Sequence, residues 1–288
     1  MKEISNKKET KNKRIAEVKG IKQLTKYEKE QILEIKKWKE KKPGVVSKSM
    51  GYALKPLTWL VNKIIPVSAI RGALDFSSSI ANWLTDKEDI LNYGEVFKIE
   101  ELRSKKLELS DILANKVHNW AISIATGEGA LTGFFGLPGM VVDIPTIITF
   151  AMRTIYKIGL CYGYESKSEL DKMFVYGVMS ASAANSMTEK ISALTTLKSI
   201  EVTIAKVTWK KMAEKAAENQ LSKEGIIIAV KNLAKQLGIN ITKRKALEAI
   251  PVVGLAIGGS VNGWYIKEVG WAARRAFQER WLIDNGKI

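Results

Sequence analysis

Apolar residues recur at helical spacing over most of this chain, and two glycine-rich apolar blocks interrupt an otherwise polar sequence. Tyr27, Ile32, Ile35 and Trp38 share one face of a helix expected over 27–42, which Pro43-Gly44 ends. Further helices are expected over 49–63, interrupted at Pro56, and over 66–83, opened by Pro66. A loop is read over 86–94. A helix over 98–126 follows, with Leu102, Leu107, Leu109, Ile112, Leu113 and Val117 in turn and Ser110 placed to cap its second half. Beyond the first glycine-rich block, helices are expected to Cys161, from a cap within 166–169 to Ser186, and over 189–220, 222–237, 242–250 and 269–283. Strand-like alternation is hard to find. The expected fold class is therefore all-α: one helical domain over 25–288, with two apolar helical hairpins packed in its core or at a membrane, preceded by a basic flexible arm over 1–24.

The first block, 127–164, is the most apolar part of the chain. Gly129, Gly133 and Gly136 are small enough to let helices approach closely. Pro138-Gly139 reads as a turn, and Asp143, two residues before Pro145, is placed to cap a new helix. An interior carboxylate costs roughly 3 kcal/mol at a bilayer centre, so a simple span is disfavoured. The block reads as two helices around a tight turn, each shorter than the roughly 20 residues a span needs. The second block opens at Pro251 and carries Gly254, Gly258 and Gly259, which read as close helix packing rather than a nucleotide loop.

Charge changes the picture. The formal net charge is +16 over 288 residues. Residues 1–48 hold 16 Lys or Arg against 7 Glu, a net of +9, so more than half of the excess sits in a sixth of the length. Such a region attracts anionic lipid, nucleic acid or an acidic protein, unless it serves only solubility. Arg14 is its single arginine, and lysine favours diffuse attraction over bidentate readout. Without a base-reading or stacking module, a specific nucleic-acid partner is not expected. The mean hydropathy of −0.08 excludes a multi-span transporter. One cysteine, Cys161, excludes an intramolecular disulfide and a thiolate metal cluster. A charged N-terminus without an apolar run leads to the expectation of no signal peptide, and hence of a reducing, cytoplasmic compartment.

Candidate chemistry is sparse. Asp143 and Arg153 are the only charges between Glu128 and Lys157. Ten residues apart, they would stand about 15 Å from each other on a straight helix. The bland alternative is a helix cap and a buried ion pair with a distant acid; the functional one is a polar site for a lipid headgroup or other anion. His118, the sole histidine, shares a helix face with Asp111 and Asn115, which permits acid–base chemistry but suits a structural histidine better. Cys161 reads as buried and inert. Trp264, Trp271 and Trp281 lie among Arg274, Arg275 and Arg280, the composition of an interfacial helix or of one whose arginines lie over buried rings. No metal site or cofactor is expected.

Gly129, Gly133, Gly136-Leu137-Pro138-Gly139, Asp143-Ile144-Pro145, Met152-Arg153-Thr154-Ile155 and Tyr162-Gly163 form one constellation. Ile250-Pro251-Val252-Val253-Gly254, Asn262, Ala272 and Arg280-Trp281-Leu282 form a second, and Ile65-Pro66 with Ala73-Leu74 a weaker third. Together they resemble the EcsC protein family over about 27–285. The resemblance implies a bacterial, intracellular, membrane-associated protein with a membrane-protein or operon-encoded partner, and it supplies no catalytic residues. Glu128 departs from the small or neutral residue expected in the glycine block.

The leading expectation is a non-enzymatic binding or regulatory protein, peripheral to the inner face of the cell membrane. Its basic arm and apolar hairpins would contact anionic lipid. The alternatives are an effector that inserts its hairpins and permeabilises a bilayer when triggered, and a lipid-modifying enzyme using Asp143, Arg153, His118 or Asn262.

Overall fold

A computed structural model describes residues 23–43, 86–126, 144–166, 168–184, 186–213 and 261–288. Among these the chain is helical throughout: α1 (Lys26–Glu40), α2 (Glu88–Gly94), a 3-10 helix (Ile99–Ser104), α3 (Leu107–Ala125), α4 (Ile144–Cys161), α5 (Glu169–Ala183), α6 (Met187–Ala213) and α7 (Val261–Asp284). Most of the expected arm, the glycine-rich turn at 127–143 and the second block as far as 260 lie outside the described residues.

Local chemistry fixes several starts. Thr25 and Glu28 form a reciprocal capping box at α1, each side chain bonding the other's backbone N–H. Glu28 also receives Lys287 Nζ at 3.0 Å, which ties the C-terminal end to the first helix. Ser168 and Asp171 make the equivalent box at α5, and Asp171 holds Arg280 of α7 at 3.1 Å.

α7 is the hub, packed against α1, α3, α4 and α5, while α5 and α6 form an antiparallel pair. Ala272, Ala273 and Ala276 keep its buried face thin, and Phe277 anchors it between Tyr162, Tyr164 and Phe174, with ring centroids 5.1–6.3 Å away. Among the described residues the main hydrophobic cluster takes Ile148, Ala151, Met152, Ile155 and Ile158 from α4, and a small second one holds Ala181 and Ala193. No helix among the described residues is long and apolar enough to cross a membrane.

Four expectations change. The loop at 86–94 is instead α2, closed by Glu95 in the left-handed region at φ 50°. The helix expected over 98–126 is two pieces: the 3-10 turn, then α3 from Leu107. Ser110 does not cap it; its hydroxyl is buried without a hydrogen-bond partner. The last helix, Val261–Asp284, extends N-terminal of the expected 269–283 and contains Gly263. At Gly270 the missing Cβ is used: the His118 ring occupies that space.

Candidate functional site

Three polar features stand out, and they differ in what they can do. The first is a seam between α3 and α7. Asp111, Asn115 and His118 form one stripe of α3, and α7 meets it in reverse order. Gln278 Nε2 donates to the Asp111 carboxylate at 2.7 Å, Arg274 donates to Asn115 Oδ1 at 3.0 Å, and His118 Nε2 lies 3.0 Å from the Lys267 carbonyl. Asp111 also accepts from Tyr27 of α1, at 2.6 Å, and from Tyr162. Helices α1 and α7 and the residue after α4 therefore converge on one buried carboxylate of α3, and burial together with that carboxylate raises both phenols above their ordinary range. His118 is pushed down to about 4, chiefly by burial and then by Arg274, and its ring stands edge-on to Trp271 at 5.5 Å. Held neutral and enclosed, it is a packing residue.

The second feature is on α4. Arg153 and Lys157, one turn apart and both buried, face Asp86 and Asp89 from the start of α2. Lys157 Nζ lies 2.9 Å from Asp89, and an Arg153 nitrogen lies 3.9 Å from Asp86, with the guanidinium 5.7 Å from the Trp120 ring. The charge of Arg153 is thus matched by a distant acid. Cys161, fully buried, donates to the Lys157 carbonyl, and burial raises its thiol far above the reactive range.

The third is open to solvent. A cleft of about 340 Å³ lies where the end of α1, the α5–α6 junction and the first half of α7 meet. Its walls carry Trp38, Trp264 and Trp271, all half-buried. Six cations, Lys37, Lys41, Lys42, Lys190, Lys267 and Arg275, line it against two acids, Glu34 and Glu268. Lys190 is buried, and its ammonium donates to the Trp38 and Lys41 carbonyls at the end of α1, 4.9 Å from the Trp38 ring centroid. Burial lowers it to about 8, opposed by Glu268. Arg275 is engaged by Gln31, Gln278 and Glu34, and Lys37 by Glu34. Lys41, Lys42 and Lys267 are exposed and meet no acid within ion-pair distance among the described residues.

A larger, shallower groove of about 700 Å³ runs along α6, walled by Met187, Ile191, Leu194 and Val202. Its lysines, Lys39 and Lys198, are already matched by Glu279 at 2.6 and 4.0 Å. Beside it, Glu201 is buried with one carboxyl oxygen lacking a partner. Of the two openings, the tryptophan-walled cleft alone combines an apolar wall with cations left available.

Of the residues singled out in sequence, Arg153 and His118 are placed in separate features, so no shared catalytic centre forms between them. Pro145 lies in α4 and Asn262 in α7. Asp143, Glu128, Gly129, Gly133, Gly136, Pro138, Gly139, Pro251, Gly254, Gly258 and Gly259 lie outside the described residues. No cluster of three or more metal-ligating side chains occurs among the described residues. Sequence reasoning missed the cleft; the one signal was the run Lys36-Lys37-Trp38-Lys39 followed by Lys41-Lys42, which reads equally as a solvated helix end. The C-terminal arginines do lie over rings: Arg274 sits 4.6 Å from Trp271, and Arg280 sits 4.2 Å from Tyr164.

An all-helical domain with a central C-terminal helix, a buried polar seam and a basic cleft defines the class. The model of the EcsC protein family matches residues 29–282, and the chain belongs to that family. It is similar to the uncharacterized protein YdbA of Bacillus subtilis (strain 168), at 22% identity over 219 residues, which cover 74% of this chain and 75% of that one. No solved structure was found to match it.

Proposed function

We propose that this protein is a non-enzymatic binding or regulatory protein, peripheral to the cytoplasmic face of the cell membrane and held there by anionic lipid. The observation that carries the reading is the cleft, where available lysines and three tryptophans share one opening. Tryptophan and lysine together suit the boundary between headgroups and water, the ring lying against apolar matter and the ammonium among phosphates. Three lysines of this opening, Lys37, Lys41 and Lys42, belong to the basic excess of residues 1–48. Each lysine near an anionic surface contributes about 1 kcal/mol, so the cleft lysines add to the attraction that the basic N-terminal region supplies. The enclosed His118 and the inert Cys161 weigh against the reading as a lipid-modifying enzyme.

Flotation of the full chain with vesicles tests this. Binding to phosphatidylglycerol vesicles, none to phosphatidylcholine vesicles and no leakage of a trapped dye is the expected outcome. Equal binding to both, or none to either, contradicts it. Dye leakage would turn the reading to an inserting effector.

A further inference from the structure

We propose that the tryptophan-walled cleft is a specific seat for a phosphate group carried on a small organic body, rather than one more part of a diffuse basic surface. This rests on the membrane reading above and names the site and ligand chemistry behind it.

Charge selects the sign of the ligand. Six cations against two acids exclude a quaternary ammonium, although three indoles would otherwise suit one. Donor type narrows the class. The one arginine of the cleft, Arg275, spends its fork on Gln31, Gln278 and Glu34. Bidentate recognition of a carboxylate or a phosphate by such a fork is therefore not on offer, and what remains is recognition by point charge. The donors left over, on Lys41, Lys42 and Lys267, are compact charges with rotatable hydrogens, which suit the several oxygens of a tetrahedral phosphate. Preorganisation makes it a site. Lys190 is buried at the junction and holds the Trp38 and Lys41 carbonyls, so the end of α1, with its lysines and Trp38, is fixed against α6. Trp271 is held the same way, between the His118 edge at 5.5 Å and the Arg274 and Arg275 guanidinium groups at 4.6 and 5.3 Å. The volume of about 340 Å³ falls at the small end of ligand pockets, the size of a headgroup rather than of a chain of lipid.

Two sources share this chemistry: the phosphate of a membrane lipid and that of a soluble phosphate ester. The test uses the full chain and two charge-matched variants. In one, Lys41→Glu and Lys267→Glu alter the cleft. In the other, Lys105→Glu and Lys106→Glu alter exposed lysines at the far end of α3. Binding to phosphatidylglycerol vesicles is measured by flotation, and binding of glycerol 3-phosphate by calorimetry, both at moderate salt. Losing two lysine contacts weakens vesicle binding by at least about 30-fold in the cleft variant, against a few-fold in the control. Glycerol 3-phosphate should bind the native chain, compete with vesicles and fail to bind the cleft variant. Soluble binding lost in the cleft variant, without vesicle binding, supports the seat, makes a soluble ester the source and refutes the membrane reading. Equal weakening in both variants overturns the seat and leaves the membrane reading standing. No binding of either probe overturns both. Matching helical circular dichroism of the two variants keeps misfolding from imitating the expected result.

Discussion

Replacing Gly270 with alanine probes the α3–α7 seam directly. A Cβ at this position would lie 2.0 Å from His118 Cδ2, 2.3 Å from Nε2 and 2.6 Å from Cγ. The ring cannot simply slide away, because Nε2 is 3.0 Å from the Lys267 carbonyl and Trp271 stands at its edge. Overpacking of this kind costs about 1–3 kcal/mol and the lost hydrogen bond about 1 kcal/mol, while the better helix propensity of alanine returns about 1 kcal/mol. The net expectation is a loss of about 2 kcal/mol, read from urea unfolding followed by far-UV circular dichroism. His118→Ala alone also destabilises, by emptying the space the ring fills. In the double variant the new methyl enters that space, so the two losses fall short of additive by at least about 1 kcal/mol. Full additivity, or a neutral Gly270→Ala, would refute the packing of His118 against α7.

Asp111→Ala strands the Tyr27, Tyr162 and Gln278 donors and should cost about 3–5 kcal/mol in the same assay; a loss under about 1 kcal/mol contradicts its place at the hub. Burial, with Glu279 beside it, raises the Glu201 carboxyl from 4.5 to about 7. The folded chain therefore keeps a proton that the unfolded chain has released, and this stabilisation is complete below pH 4.5 and lost as pH rises through 7. His118, lowered from 6.5 to about 4, gives the opposite slope between those values, so the net fall is clearest above pH 6.5. Glu201→Gln should remove the Glu201 contribution, on the order of 3 kcal/mol between pH 4.5 and 7.5 and about 1 kcal/mol of it above pH 6.5, when stability is measured across pH; an unchanged profile refutes the assignment.

Local signals carried much of the fold. Ser168 and Asp171 cap α5 within the stretch where a cap was expected, and the apolar face of α1 was legible from Ile32, Ile35 and Trp38. Helix lengths were harder. Asn92-Tyr93-Gly94 has turn composition, yet α2 forms because Ile90 is buried and Gly94 packs on Leu102 and Leu113. Gly270 fell inside the expected last helix, and only its tertiary neighbour, the His118 ring, explains why a residue of poor helix propensity stands there. The stripe of Asp111, Asn115 and His118 was visible from spacing alone. Its partners on α7 were not, since they lie about 150–170 residues away and nothing local marks Gln278 as a partner of Asp111. The cleft is built from the end of α1, the α5–α6 junction and the first half of α7, none carrying a motif, so its convergence exists only in the folded chain.

Fractionation of cells expressing the full chain tests the central claim most directly. The account predicts that the protein sediments with the membranes at low salt and is released by high salt, because charges within reach of solvent are screened over roughly 10 Å or less. Retention through high salt and an alkaline carbonate wash, or recovery in the soluble fraction at low salt, would contradict a peripheral protein held by anionic lipid.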